Sequence, residues 1–360
     1  MVEIGTAPVP VTGAITELAA YSSQAVDGLG GLTPYVGGAL FPQATYSGEV
    51  HRYETGDVLS ERGGDGTDNP WYVGFSAIKG FQFTCSFVND EDRTATAYRV
   101  LRKLHPLANA LGSTSPGSLL SGEMAQLLGT AGWEASERYH NARQLFYRAI
   151  TRDMVTGREV IGSGPDIEAV DDYFAWTREL DGQEPELELV EDGDPHRVLT
   201  NVRLRHRDQT YMVEVRGMDT PLALKDENGV IVHSMTDVAS ALAGFQLGLL
   251  YYTFEHPDDQ MAQVLDAPLE RGSCDRYAEA AYLDGMNARW SPDGTVLNEA
   301  RVDDWVRRLL PYAREGLTIL GERGTVLAPV EHVLEHGTVA VQLSELSADE
   351  QVREVLGRTT

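Results

Sequence analysis

The sequence contains two alternating segments separated by only two residues, and this spacing is the strongest constraint on the fold. The segments are VLTNVRLRHR (198–207) and TYMVEVRG (210–217), with Asp208-Gln209 between them. Both follow the two-residue period of a β-strand, and so short a link joins strands that run in opposite directions. The sequence therefore predicts a β-hairpin and, with it, an antiparallel sheet.

The hairpin gathers charged side chains on one face of the predicted sheet. Alternation puts Arg203, Arg205 and Arg207 on one face of the first strand. On the second strand Glu214 and Arg216 share a face. Burying several arginines and a carboxylate without a partner is costly. Two interpretations follow, a site that binds a charged partner or a solvent-exposed polar face.

The segments around the hairpin alternate between strand and helix patterns. A strand is predicted over 77–88 and a helix over 91–111, where apolar residues recur at helical spacing. Near the N-terminus, 14–28 is predicted to be helical and 34–42 to be a strand. From Thr236 onward the chain is predicted to be mostly helical. Strands separated by long helices, with a late hairpin, predict an α+β fold with a mainly antiparallel sheet.

The charge balance excludes several classes of partner. The chain has 360 residues, with 55 acidic against 29 basic side chains, and a formal net charge of -26. So negative a surface repels phosphate backbones and anionic lipids, which argues against nucleic-acid and membrane binding. Its only lysines are Lys79, Lys103 and Lys225, and such acidity with so little lysine indicates a high-salt cytoplasm. We expect a cytoplasmic protein, since neither a leader nor a membrane-length apolar run is visible.

The common nucleotide-binding and hydrolase motifs do not occur in the sequence, which has no P-loop, no Gly-x-Gly-x-x-Gly after a strand and no Gly-x-Ser-x-Gly. One pattern, formed by His332, Glu335 and His336, has the spacing of a metalloprotease motif. Because Gly337 follows directly, we expect a helix to end there, where the helix dipole favours an imidazolium. The helix end is the preferred interpretation, and a zinc peptidase would require zinc bound at these histidines.

The segment TYMVEVRGMD, with NVRLRHR before it, resembles the carboxylate–amine ligases of the glutamate–cysteine ligase family. In that family a strand ends in Glu-Val-Arg, an Asp follows shortly, and an Asp-Val-Arg strand precedes it. The matching residues are Glu214, Arg216, Asp219 and Arg203, with Asn201 where the family has the first Asp. Further segments resemble family motifs in the same order, and this collinearity carries the resemblance: MVEIGTAPVP, GGALFPQA, HRY (51–53), GFQFTCSFVND, LHPLANALGSTSPGS, GWEASER and NARW (287–290).

The resemblance implies an ATP-dependent ligase that forms a γ-glutamyl or similar amide bond through an acyl phosphate. The implied fold is a curved, mainly antiparallel sheet of the glutamine-synthetase type, flanked by helices. Residues 1–270 would form the ligase-like α+β domain, and residues 271–360 a helical region packed on it. ATP and Mg²⁺ are the implied cofactors, with carboxylates holding the metal and arginines neutralising the phosphoryl group. The implied partners are small-molecule amino-acid substrates, glutamate and cysteine first among them.

The resemblance also assigns roles to single residues. The implied catalytic residues are Glu3, Arg203 and Arg216. The implied metal ligands are Glu3, Gln82 and Glu214. ATP or substrate binding is implied for Arg52, Gln82, Thr84, Ser136 and Arg138. Gln82 and Thr84 stand where the family often has two histidines; the Gln82 amide oxygen can still coordinate a metal, whereas Thr84 is a weaker ligand.

The first strand of the family, Gly-Val-Glu-x-Glu, has no match in this chain, which opens at the family's second conserved strand. Three explanations are open: a start codon assigned too late, a strand supplied by another polypeptide, or a degenerate homologue. We favour the first and then the third. The alternative function is therefore a catalytically impaired relative with a binding or regulatory role. A missing strand would also leave an unpaired edge, which favours self-association into a homo-oligomer.

Overall fold

A three-stranded antiparallel sheet carries the predicted hairpin. The computed structural model describes residues 80–117, 139–141, 144, 162–183, 200–207, 209–347, 350–351, 353–354 and 358. The strands are β1 (Gly80–Val88), β2 (Val202–Arg207) and β3 (Thr210–Asp219), in the order β1-β3-β2. Strands β2 and β3 pair antiparallel from Val202 opposite Val215 to Arg207 opposite Thr210, which confirms the predicted hairpin.

The register of the sheet brings three predicted site residues into one row. Thr84 on β1 lies opposite Glu214 on β3, and Glu214 lies opposite Arg203 on β2. In the next row, Val213 and Leu204 are fully buried in the hydrophobic core. Because successive side chains alternate between the faces of a strand, the sheet has an apolar face toward the helices and a polar face with the charged residues.

A β-bulge interrupts β3 beside this row. While β1 advances from Phe81 to Phe83, β3 advances from Met218 to Val215, so β3 carries one extra residue. Gly217 lies in the bulge with φ +84°, a conformation that favours glycine. A Cβ atom at Gly217 would also lie only 2.7 Å from the amide nitrogen of the Gln144 side chain. The positive φ therefore favours glycine here, and a larger residue would also displace the end of the Gln144 side chain.

Helices account for most of the other described residues. They are α1 (Glu91–Leu111), α2 (Val170–Gln183), α3 (Met235–Glu255), α4 (Gln260–Asp266), α5 (Arg271–Asp284), α6 (Val302–Ile319), α7 (Ala328–His336) and α8 (Val339–Ser344). Two short strand pairs accompany them, β4 (Leu224–Lys225) with β5 (Ile231–His233) and β6 (Arg289–Trp290) with β7 (Ala300–Arg301). Three 3-10 turns lie at Gly285–Asn287, Val296–Asn298 and Gly324–Leu327. The predicted helix over 91–111 and the mainly helical C-terminal part are confirmed.

Helix α1 is the central element, because it packs against both the sheet and the later helices. The carboxylate of Asp90 caps its first turn by accepting a hydrogen bond from the backbone N–H of Arg93 at 3.0 Å. From residue 100 to residue 111 every residue of α1 is buried. Even Lys103 lies inside, where its ammonium donates to the carbonyl of Ala267 at 2.7 Å and caps the C-terminal end of α4. Because α1 is buried along this length and packs against the sheet, it fixes the position of the sheet.

The helices after the sheet share one hydrophobic core with it. Leu204 on β2, Leu104 on α1, Leu249 on α3 and Leu309 on α6 belong to the same cluster of buried residues. Helix α3 begins with a capping box, in which Ser234 is the N-cap residue. The core therefore crosses residue 270, and the proposed division into 1–270 and 271–360 stays a prediction.

The coarse fold prediction, mixed helix with antiparallel sheet, is confirmed in the described residues. The curvature typical of glutamine synthetase stays a prediction. The predicted helix over 14–28 and the predicted strand over 34–42 lie outside the described residues. None of the helices in the described part of the chain combines the length and the apolar character needed to cross a membrane.

Candidate functional site on the polar face of the sheet

Arg203 and Glu214 form a buried ion pair on the polar face of the sheet. The Nε and Nη2 atoms of Arg203 donate to Oε2 of Glu214 at 2.9 and 2.6 Å. The two residues are only 6% and 7% exposed. They meet because the hairpin register places them directly opposite each other. The interpretation as a solvent-exposed polar face is therefore wrong for these two residues.

A second guanidinium lies on the other side of the same carboxylate. The Nε atom of Arg216 is 3.8 Å from Oε1 of Glu214, while Arg203 occupies Oε2. Glu214 therefore faces one guanidinium group at each of its two carboxylate oxygens.

Gln82 and Thr84 extend the polar face toward solvent. Both side chains are exposed. They alternate along β1 with Phe83 and Cys85, which pack against the hydrophobic core. Thr84 lies opposite Glu214, its cross-strand partner. The structure therefore brings five predicted site residues onto one face: Gln82, Thr84, Arg203, Glu214 and Arg216.

Two backbone hydrogen bonds fix Arg216 at the bulge. Its N–H donates to the carbonyl of Asn201 at 2.7 Å. Its own carbonyl accepts from Nε2 of His105 at 2.7 Å. The amide of Asn109 lies 3.1 Å from Nδ1 of His105 and donates to it when the ring proton is on Nε2. Neither His105 nor Asn109 was predicted as a site residue, although their i, i+4 spacing on a predicted helix was a usable signal.

Asp219 is the last residue of β3. It is fully buried. Its Oδ2 atom accepts hydrogen bonds from the backbone N–H of Thr114 at 2.9 Å and from the Ser115 hydroxyl at 2.7 Å. The carboxylate thus fastens the turn after α1 to the sheet, which gives this family-like position a structural role.

The described residues do not by themselves form a magnesium site. Mg²⁺ requires several oxygen ligands in near-octahedral geometry. Glu214 supplies a carboxylate, but its Oε2 atom already accepts two hydrogen bonds from Arg203, and the flanking guanidinium groups repel a bare cation. Within the described part of the chain, no group of three or more His, Cys, Asp or Glu is placed to hold a metal. The metal role of Glu214 stays a prediction, because Glu3 lies outside the described residues.

The His-x-x-Glu-His segment lies in the last turns of α7, which ends before Gly337 as predicted. Nε2 of His332 is 3.1 Å from the carbonyl oxygen of Lys225, and its ring lies 4.4 Å from the ring of His336. The ring of His233 on β5 is 5.5 Å away. Burial, with a smaller contribution from His336, lowers the pKa of His332 below its usual value. These contacts join α7 to the β4–β5 pair and support the structural interpretation.

Four predicted site residues lie outside the described residues: Glu3, Arg52, Ser136 and Arg138. Their roles stay predictions. A scan against protein-family models and a search of curated proteins both gave no match to the sequence. The resemblance to the glutamate–cysteine ligase family therefore rests on the ordered short motifs alone.

Proposed function

We propose that the polar face of the sheet binds the anionic groups of the substrates of an ATP-dependent carboxylate–amine ligase. The observation that carries the proposal is the position of Glu214 between Arg203 and Arg216. A guanidinium held in fixed orientation suits phosphoryl and carboxylate oxygens, because it offers parallel N–H donors. The motif resemblance supplies the reaction class.

The proposed reaction has two steps. The γ-phosphoryl group of ATP passes to an oxygen of the substrate carboxylate, which gives an acyl phosphate and ADP. The amine nitrogen then attacks the acyl carbon, phosphate leaves, and the amine loses a proton. Both steps bring negative oxygens together and need positive charge in fixed positions. We assign that charge to Arg216, whose side chain is 24% exposed, and to the more buried Arg203 behind it.

We extend the proposal to the substrates and residues that the resemblance implies. Glutamate is the proposed carboxylate substrate, an amino acid is the proposed amine, and the reaction takes place in the cytoplasm. The sheet is proposed to continue into the curved glutamine-synthetase type. The further proposed substrate and ATP contacts are Arg52, Gln82, Thr84, Ser136 and Arg138. Glu3, Gln82 and Glu214 are the residues proposed to hold Mg²⁺, and neither step above passes through the metal.

A catalytically impaired relative that binds the same ligands is the second candidate. Two observations favour it. Oε2 of Glu214 is already occupied by Arg203, which lowers the capacity of this carboxylate to act on a ligand. Thr84 is also a weaker metal ligand than the histidine that the family often has there. Such a protein would bind ATP and glutamate without releasing phosphate.

Phosphate release and ligand binding, measured on the same chain, test the two candidates. A ligase releases ADP and phosphate from ATP only when glutamate and an amine are both present. Arg216→Gln should abolish that release, whereas the control Arg323→Gln, which removes the same charge at an exposed position, should not. Calorimetric binding of ATP without turnover would support the impaired relative. If the chain showed neither ATP binding nor turnover, both candidates would be overturned.

A further inference from the structure

A cavity of about 260 Å³ lies between the C-terminal end of α5 and helix α8. The residues around it include Tyr139, His140, Asp284, Asn287, Ala340 and Ser344. None of them belongs to the polar face of the sheet. The cavity is therefore a separate feature of the molecule.

Main-chain hydrogen bonds fix the position of His140, which forms part of the cavity wall. The backbone N–H groups of His140 and Asn141 both donate to the carbonyl of Tyr282 on α5, at 3.0 and 3.1 Å. Gly285 follows α5 with φ +52°. A Cβ atom at Gly285 would lie 2.8 Å from the His140 ring. The imidazole thus packs over bare backbone, and the shape of the cavity depends on this glycine.

Asp284 brings a carboxylate without a cationic partner to this cavity. In the part of the chain that the structure describes, the side chains of Asp284 and Asn287 make neither a hydrogen bond nor a salt bridge. Among the described residues that line the cavity there is no Lys or Arg. Burial lowers the pKa of His140 below its usual value, so its ring is neutral near pH 7 and offers a donor and an acceptor. The described part of the lining therefore offers one negative charge with neutral polar groups around it.

We propose that this cavity binds a small molecule that carries a protonated primary amine, with Asp284 as the counter-charge and Asn287 and His140 as hydrogen-bond partners. Both Asp284 and the overall charge of -26 would repel an anion. A neutral ligand would gain no charge-assisted contact with Asp284. The volume lies below the range of pockets for drug-sized ligands, which indicates a ligand of amino-acid or diamine size. The inference does not depend on the proposed ligase activity.

Three probes with four carbon atoms each separate the effect of ligand charge from the effect of ligand size: n-butylamine, 1-butanol and butyrate. Binding is measured by calorimetry and by the NMR signals of the His140 ring, in high KCl so that long-range attraction is screened. We expect saturable binding of n-butylamine, with a shift of the His140 signals, and no comparable binding of 1-butanol or butyrate. The absence of saturable n-butylamine binding, or equal binding of 1-butanol, would overturn the proposal.

A matched pair of variants locates the site. Asp284→Asn keeps the shape of an exposed side chain and should weaken n-butylamine binding about tenfold or more, since it removes a charge-assisted contact. Asp258→Asn removes the same charge at an exposed position outside the lining and should leave binding unchanged. Thermal melts of both variants confirm that they fold. An equal loss of n-butylamine binding in both variants would show that the overall charge of the protein attracts the amine, and it would overturn the proposed site.

Discussion

Gly316 on α6 lies directly against the backbone carbonyl of Gly248 on α3. A Cβ atom added at Gly316 would overlap that carbonyl oxygen and would come within 2.9 Å of the backbone nitrogen of Tyr252. The obstacle is the main chain of a neighbouring helix, which cannot rotate away as a flexible side chain would. These two glycines therefore set the distance at which α3 and α6 pack.

Gly316→Ala should lower the free energy of unfolding by about 1–3 kcal/mol or more, because the added methyl group forces the two helices apart. Gly272→Ala is the matched control. Gly272 lies in α5, and an added Cβ there has nothing within 4 Å. It should raise the free energy of unfolding by roughly 0.5–1 kcal/mol, the usual gain of alanine over glycine in a helix. Urea denaturation measures both, and equal losses would contradict the close-contact explanation.

The Arg203–Glu214 pair should show strong energetic coupling. Glu214→Leu leaves the buried Arg203 guanidinium uncompensated and should cost about 3–5 kcal/mol. Arg203→Leu should cost less, because Glu214 still faces Arg216. The double variant should cost much less than the sum of the two single variants. A double-mutant cycle by urea denaturation gives the coupling energy. The exposed pair Arg301–Asp303 serves as the comparison, with expected coupling of about 0–1 kcal/mol. Additive losses at Arg203 and Glu214 would refute the buried pair.

Glu214→Gln should lower the rate of the proposed ligase reaction about a hundredfold, the size of effect expected when one electrostatic contact near a transition state is lost. The substitution keeps the shape of the side chain but removes the charge that orients Arg203 and Arg216. Phosphate release with ATP, glutamate and an amine measures the rate. Glu227→Gln, on the exposed turn between β4 and β5, is the charge-matched control. A rate unaffected by Glu214→Gln would show that the polar face of the sheet does not take part in the reaction.

The hairpin and helix α1 could be predicted from the sequence because their signals are local. Alternation over 198–217 is visible without knowledge of any distant residue, and so is the helical spacing of apolar residues over 91–111. Alternation also showed that Glu214 and Arg216 share a face. It could not show that Thr84, rather than Gln82, lies opposite Glu214, because the register between distant strands depends on their meeting in space.

Other features of the site depend on contacts between elements and carry no local signal. The bulge at Gly217 arises where β3 meets β1, and its sequence resembles that of an uninterrupted strand. The bond from His105 to the carbonyl of Arg216 requires α1 to pack under the end of β3. Likewise, nothing near Gly316 reveals that Gly248 is its neighbour. The sequence therefore indicated which charged residues share a face of a strand. Only the fold shows which neighbouring elements fix their positions.

His332 should contribute to the pH dependence of stability. Burial, with His336 and His233 nearby, lowers its pKa below the usual 6.5. As the pH falls through 6.5, the unfolded chain gains a proton that the folded chain resists, so the free energy of unfolding decreases. His332→Gln should reduce this loss between about pH 7 and pH 5. Glu335→Gln removes a charge that raises the pKa of His332 and should increase the loss. Urea midpoints across this range check both directions, and identical slopes in all three proteins would contradict the assignment.

Stability should fall as salt is diluted. At a net charge of -26 the folded chain concentrates negative charge that the expanded chain spreads out, so self-repulsion opposes folding. Salt screens this repulsion, since the Debye length is about 3 Å at 1 M and about 30 Å at 0.01 M. We therefore expect the melting temperature to decrease steadily from molar to millimolar KCl. Sucrose at matched osmolality is the control, because it stabilises compact states without screening charge. A melting temperature that does not change with KCl, or that responds equally to sucrose, would remove the argument for adaptation to a high-salt cytoplasm.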